Sequence, residues 1–205
     1  ETDMAVIDVK EEFVLYSWNL THDYDLEQFP DEISRCLKTA LLAERSNSQI
    51  LPHYTDFYKN GMIVSVEVST LPVPLRHVIG NRQEMQEYGA TLMKSLIQGY
   101  TTLKKSTTVM RGLQPSMIFV SEDATQVQFA DILSMARWDS EPKHQIRNTQ
   151  PYSAVKDLSD KSVALNCPTM DMHSLGVILL EIIAGTDVVL SCRCKEALEG
   201  LIIDC

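Results

Sequence analysis

Residues 109–133 read VMRGLQPSMIFVSEDATQVQFADIL, and the reading of this stretch decides the fold. An LxPSxIxV string runs into an apolar segment, the acidic turn of Glu122 and Asp123 follows, and a second apolar run ends on the carboxylate of Asp131. The pattern is that of a loop, a strand, a turn and a second strand. Its chemistry is sparse. Gly112 has no side chain, and the thioether of Met117 is too soft for Mg²⁺, which takes hard oxygen donors in octahedral geometry.

The flanks carry stronger periodic signals. Upstream, QEMQEYGATLMKSLIQGYTTLKKS at 83–106 has apolar residues at 85, 88, 92, 93, 96, 97, 100 and 103, the spacing of one apolar helix face. Downstream, DMHSLGVILLEIIAG at 171–185 is apolar nearly all round a helical circumference, as in a helix buried in a core. It is too short, and too interrupted by His173 and Glu181, to span a membrane. MIVSVEV at 62–68 alternates as a strand does and is entered through an Asn60-Gly61 turn. Pro72 and Pro74 in the segment after it favour an extended linker before any helix restarts. FVLYSWNL at 13–20 and the preceding AVIDVKEE read as a hairpin. PDEISRCLKTALLAERS at 30–46 reads as a helix, with Asp31 near its start and apolar residues at 33, 37, 41 and 42.

Taken in order, these segments resemble the eukaryotic protein kinase family in a degenerate form, a pseudokinase. The stretch 109–133 resembles the HRDLKPSN catalytic loop followed by the DFG motif. Met110, Arg111 and Gly112 take the HRD places, Gln114 the loop Lys, Met117 the loop Asn, and Asp131, Ile132 and Leu133 the DFG places. NTQPYSAVKDL at 148–158 resembles the TxxYxAPE segment: Thr149, Tyr152 and Ala154 match, while Val155 and Lys156 replace Pro and Glu. Lys156 thus reverses the charge of a Glu that the family buries against an Arg, and a half-kept buried pair is costly. The helix at 171–185 resembles DxWSLGxxLxExxxG, with Asp171, Ser174, Leu175, Gly176, Glu181 and Gly185 in place and His173 for Trp. On this resemblance Asp171 is architectural, capping its helix and holding the catalytic-loop backbone. Arg111, lacking an Asp beside it, is assigned a structural hydrogen-bonding role.

The resemblance implies an α+β, bilobal protein kinase-like fold. A small β-rich N-lobe, incomplete, would span 1–68, a hinge and linker 69–82, and a mainly helical C-lobe lacking its last helices 83–205, as one kinase-like domain overall. Val66 takes the gatekeeper place, Glu67 opens the hinge, and Lys104 stands where the family has the His of its long helix. The strand at 13–20 would carry the Lys that grips nucleotide phosphates, but it holds no Lys; Tyr16, Ser17 or Trp18 occupies that place. Lys38 falls near the place of the Glu partner. No Gly precedes Gly61, so a glycine-rich phosphate loop would have to precede residue 1. Near the other end, EALEGLIIDC resembles a later kinase helix, with the segment between reduced.

Kinase chemistry needs an Asp base and metal held by Asn and Asp, so the losses at Gly112 and Met117 and of the Lys imply a non-enzyme. No residue is assigned a catalytic, cofactor-binding or metal-ligating role, and no cofactor is expected. Glu122 and Asp123 are the acids nearest the loop, but they belong to the turn and would point away from a cleft. Cys192 and Cys194 form a CxC pair that no second pair or His cluster completes, and His22, His53, His77, His144 and His173 fall at no zinc-ligand spacing. Ser140 and Thr149 lie in the presumed activation segment, 134–151, where a solvated loop accounts for them as well as phosphorylation does.

Charge and cysteines bound the partners. The net charge is −10, and ten acidic residues face two basic ones between 1 and 35. This balance argues against nucleic acid and anionic lipid, which need cationic surfaces. It suits either a solvated surface or a dock for a basic protein. Five cysteines without a framework spacing suggest a reducing, cytoplasmic compartment. The expected function is that of a catalytically inactive scaffold or protein-binding subunit, within a larger assembly and without membrane insertion. The alternatives are a nucleotide-sensing pseudokinase that binds ATP and an atypical active Ser/Thr kinase.

Overall fold

A computed structural model describes residues 6–10, 13–19, 34, 38, 41, 42, 45, 49–105, 108–111, 113–131, 135–137, 151, 152 and 168–191. Strands β1 (Val6–Val9) and β2 (Phe13–Asn19) form the expected hairpin, and β3 (His53–Asn60) and β4 (Ile63–Ser69) form a second. The four make one antiparallel sheet in the order β1-β2-β4-β3. Its inner face follows from alternation: Val14 and Tyr16 on β2 and Val64, Val66 and Val68 on β4 are all buried. Asn60 pairs with Ile63, so the turn residues are Gly61 and Met62 rather than Asn60 and Gly61. Gly61 adopts φ +61 at the first turn position, where a side chain would be strained.

The span 69–82, expected as extended linker, is half structured. After β5 (Val73–Pro74) the chain enters helix α1 (Leu75–Gly80), which buries Leu75, Val78 and Ile79. Pro74, at φ −61 and ψ 131, stands just before the first helical residue, where its fixed φ and missing N–H do no harm. Asn81 then closes one helix and opens the next. Its N–H donates to Val78 O at 3.0 Å, while its Oδ1 accepts from the N–H of Gln83 at 3.1 Å and of Glu84 at 3.4 Å. Helix α2 (Arg82–Lys105) therefore starts on a side-chain cap, and Asn81 Nδ2 donates to Glu84 at 2.7 Å to complete it.

The buried face of α2 runs through Gly89, Leu92, Ser95, Leu96, Gly99, Tyr100 and Leu103. Ile97, expected on that face, is 47% exposed, because the small residues at 89, 95 and 99 form the contact line instead. A Cβ on Gly99 would lie 2.6 Å from Val127 Cγ2, so the helix runs against β8 at the distance only glycine allows. After β6 (Thr108–Val109) and a 3-10 turn (Pro115–Met117), β7 (Ile118–Val120) and β8 (Val127–Phe129) form the expected strand–turn–strand, and β5 joins them in the order β5-β7-β8. β9 (Ala136–Arg137) pairs with β6.

Helix α3 (Pro168–Ala184) begins three residues before Asp171, which therefore sits in its first turn and is not its cap. The last residue of the expected motif, Gly185, takes φ +97 and donates to Glu181 O at 2.8 Å, ending the helix in the left-handed conformation before α4 (Thr186–Ser191). Met172 and Ile183 on α3 are exposed, so the helix is not enclosed on every side. In the segment 30–46, residues 34, 38, 41, 42 and 45 are helical, and Lys38, Leu41 and Leu42 are exposed. The apolar signal at 41 and 42 thus does not mark a core face. The fold is mixed α+β with small antiparallel sheets, and one continuous apolar core joins the inner face of the large sheet to α1, α2, α3 and the β7-β8 hairpin.

Candidate functional site

The loop after β6 is fastened from below by a single carboxylate. Asp171 is fully buried, and its two oxygens accept the backbone N–H of Met110 and of Arg111, each at 2.7 Å. Arg111 adopts φ +60, uncommon for a residue with a side chain, and this pair of bonds accompanies the strained backbone. Burial pushes the Asp171 carboxyl up to about 6, against the two N–H donors and the Arg111 charge, which favour the ionised form. The loop-holding role implied for Asp171 is what the geometry shows.

Above that loop, the groups of the two small β elements meet the large sheet. Met117 is buried in the apolar core and its carbonyl accepts from the Ala130 N–H at 2.9 Å. Asp131 follows directly and is 1% exposed; Arg111 is 3% exposed. The Tyr16 phenol, fully buried, donates to the Ala130 carbonyl, one residue before Asp131. Ser17, the next residue on β2, faces the other way and shares a hydrogen bond with Ser65 of β4 at 2.8 Å. Two further bonds close the junction. Phe129 N–H donates to Ile50 O at 2.9 Å, and Leu71 N–H donates to the Gln128 side chain at 2.9 Å.

A second polar constellation lies at the C-terminal half of α3. Glu181, fully buried, accepts from Arg76 of α1 at 2.8 Å through Oε1 and from the Tyr152 phenol at 2.7 Å through Oε2. The Tyr152 phenol is pushed well above its ordinary pKa by burial first and by the Glu181 carboxylate second. Ser174 Oγ, two turns earlier on the same helix, is 2.7 Å from Tyr152 O and 3.0 Å from Met170 O. Glu181 and Tyr152 were both visible as motif residues. Arg76 was not, and a cation inside the otherwise apolar LRHVI run was the available signal.

The remaining acids near the loop are committed elsewhere. Asp123 Oδ1 accepts from Ser121 Oγ at 2.6 Å, Thr125 Oγ1 at 2.8 Å and Thr125 N–H at 3.1 Å, which lowers its pKa and builds the β7-β8 turn. Ser95 Oγ of α2 reaches the Ala124 carbonyl at 3.0 Å and fixes that turn to the helix. Neither Glu122 nor Asp123 is buried; both are exposed at the tip of the turn.

Among the described residues, no three His, Cys, Asp or Glu gather as a metal site, and no helix is long and apolar enough to cross a membrane. Gly112, Ile132, Leu133, Ser140, His144, Thr149, Ala154, Val155, Lys156, every cysteine, and residues 196–205 lie outside the described residues. No family model matches the chain, and no curated protein matches it.

Proposed function

We propose that this chain is a degenerate protein kinase-like domain, bilobal in plan, that works as a non-catalytic protein-binding or structural module. The order of the described elements supports the reading: two hairpins with a helical segment between them, a long helix, a fastened loop, a strand pair ending on Asp131, and a helix carrying Asp171, Ser174 and Glu181. The observation that carries it is the bond from Tyr16 to Ala130. In the family the strand at this place presents a cation to nucleotide phosphates; here a buried aromatic ring spans to the backbone beside Asp131. The strand segment Phe13–Asn19 holds no cation for phosphate, and Asp131 is 1% exposed.

Loss of a base at Gly112, of a hard ligand at Met117 and of the Lys removes three separate functions, so no single substitution restores phosphoryl transfer. What is retained is load-carrying: Asp171 under the loop and Glu181 between α1 and the Tyr152 segment. The acidic charge of −10 and five cysteines without a framework spacing fit a module that binds other proteins in a reducing compartment rather than nucleic acid. A thermal shift with ATP and Mg²⁺ tests the reading. A ligand at a hundred times its Kd stabilises by about 2.7 kcal/mol. The proposal expects no rise in Tm; a saturable rise with ATP contradicts it in favour of a nucleotide sensor.

A further inference from the structure

Strand β3 is the last strand of the large sheet, and seven of its eight residues are exposed. Long exposed edges are normally shortened, bulged or covered, because their free N–H and C=O groups template a further strand. Here the irregularity is confined to Tyr54–Asp56, and Asp56–Asn60 pair regularly with β4.

The two faces of this edge differ in chemistry. On the outer face Asp56 stands directly across from Glu67, and like charges in that position destabilise a sheet. Glu67 is held there: Thr55 Oγ1 donates to its Oε1 at 2.8 Å and the Tyr58 phenol to its Oε2 at 3.1 Å. On the inner face Phe57 stands across from Val66, which is buried, yet Phe57 itself is 54% exposed. The apolar core therefore stops one strand short of the edge. The Phe57 N–H donates to Asp56 Oδ1 at 2.7 Å, so a side chain of the same strand holds a donor that a neighbouring strand's carbonyl can take over.

We infer that the exposed edge of β3 over Asp56–Asn60 is the docking site for an extended strand of a partner protein, one carrying Lys or Arg opposite Asp56 and an apolar side chain opposite Phe57. Side chains alternate between faces along a strand, so such a partner needs only a cation–apolar alternation to satisfy both faces at once. The incoming carbonyl takes the Phe57 N–H, and the released Asp56 carboxylate joins Glu67 in pairing the incoming cation. A second copy of this chain paired through its own β3 does not meet the requirement. Two-fold pairing of β3 with itself sets Asp56 against residues of its own face, Asp56, Tyr58 or Asn60, while Lys59 lies on the other.

The docking rests on the binding-module reading, and its test reads a different signal from nucleotide binding or turnover. A fluorescein-labelled peptide alternating Lys and Val is titrated into the full chain by anisotropy, beside the same peptide with Glu for Lys and one with alternate amides N-methylated. The Lys peptide binds saturably, and both controls bind at least about tenfold more weakly. Binding protects the edge-facing amides of Phe57 and Lys59 from hydrogen exchange. Asp56→Asn and Glu67→Gln each weaken binding while leaving Tm unchanged or raised, since the opposed charges are relieved. Equal affinity for the three peptides, protection elsewhere in the chain, or a self-associated protein whose Phe57 and Lys59 amides are already protected overturns the docking. If ATP stabilises the chain but the Lys peptide binds as described, the module reading gives way to a nucleotide sensor and the docking stands; the converse result rejects only the docking.

Discussion

Tyr16 and Ala130 are joined by a phenol-to-carbonyl hydrogen bond although they lie 114 positions apart. The bond ties the second strand of the large sheet to the residue before Asp131. Removing the hydroxyl alone tests that role. Tyr16→Phe keeps the ring but strands a buried carbonyl, so stability falls by about 1–3 kcal/mol in urea denaturation, with the fold retained. No change in Cm with the phenol gone would mean that the bond carries no stability.

Asp171 makes stability depend on pH in a known direction. Its carboxyl sits at about 6 in the folded chain, above the ordinary value of about 3.9 expected when unfolded. Between these values the folded state binds more protons, so this group's contribution falls as pH rises from about 4 to about 6 and is level above that. Asp171→Asn abolishes this dependence. At pH 7 it also leaves a backbone N–H of Met110 or Arg111 unsatisfied, at a cost of about 1–3 kcal/mol. Unfolding free energies of both proteins across that range should show the variant's deficit largest near pH 4 and shrinking toward pH 6.

Glycines 99 and 89 face the same core with opposite tolerance. An added methyl at 99 would meet Val127 at 2.6 Å and Phe129 at 3.3 Å; at 89 the nearest atom is Ile182 Cγ2 at 3.8 Å. Gly99→Ala is expected to lose about 1–3 kcal/mol by overpacking. Gly89→Ala gains about 0.5–1 kcal/mol of helix propensity without a clash. Thermal melts of the two variants check the contrast, and equal shifts would show that α2 does not approach β8 closely.

The Arg76–Glu181 pair joins α1 to α3 at 2.8 Å with the carboxylate fully buried. Arg76→Ala leaves that carboxylate with the Tyr152 phenol alone, and because the Arg76 side chain is 36% exposed the loss falls below the roughly 3–5 kcal/mol of a wholly buried pair. Arg76→Met with Glu181→Leu removes both charges and costs less than Arg76→Ala. A double-mutant cycle in denaturant reads the difference; additive losses would show that the two side chains do not interact.

The elements legible in the sequence are those set by local patterns. The strand–turn–strand at 118–129 and the long helix both follow from spacing within a few residues. The loop-holding role of Asp171 was legible only through the family resemblance, since its partners lie 60 and 61 positions away. What was not legible depends on which face meets which. The periodicity at 83–106 admits Ile97 to the apolar face, but the small residues turn the helix so that Ile97 is outside. Tyr16, Ser17 and Trp18 were left open as alternatives on one strand, and only tertiary contact shows that Tyr16 reaches the Ala130 carbonyl. Arg76 lay in a span expected as linker because two prolines dominated its reading, although a proline just before a helix is harmless to it.

Phosphotransfer measures the central claim most directly. The chain is incubated with labelled ATP, Mg²⁺ or Mn²⁺ and protein substrates, alone and as Asp131→Ala. The account predicts no turnover above background in either protein. Turnover in the unmodified chain that Asp131→Ala abolishes would contradict it and restore the site to catalysis.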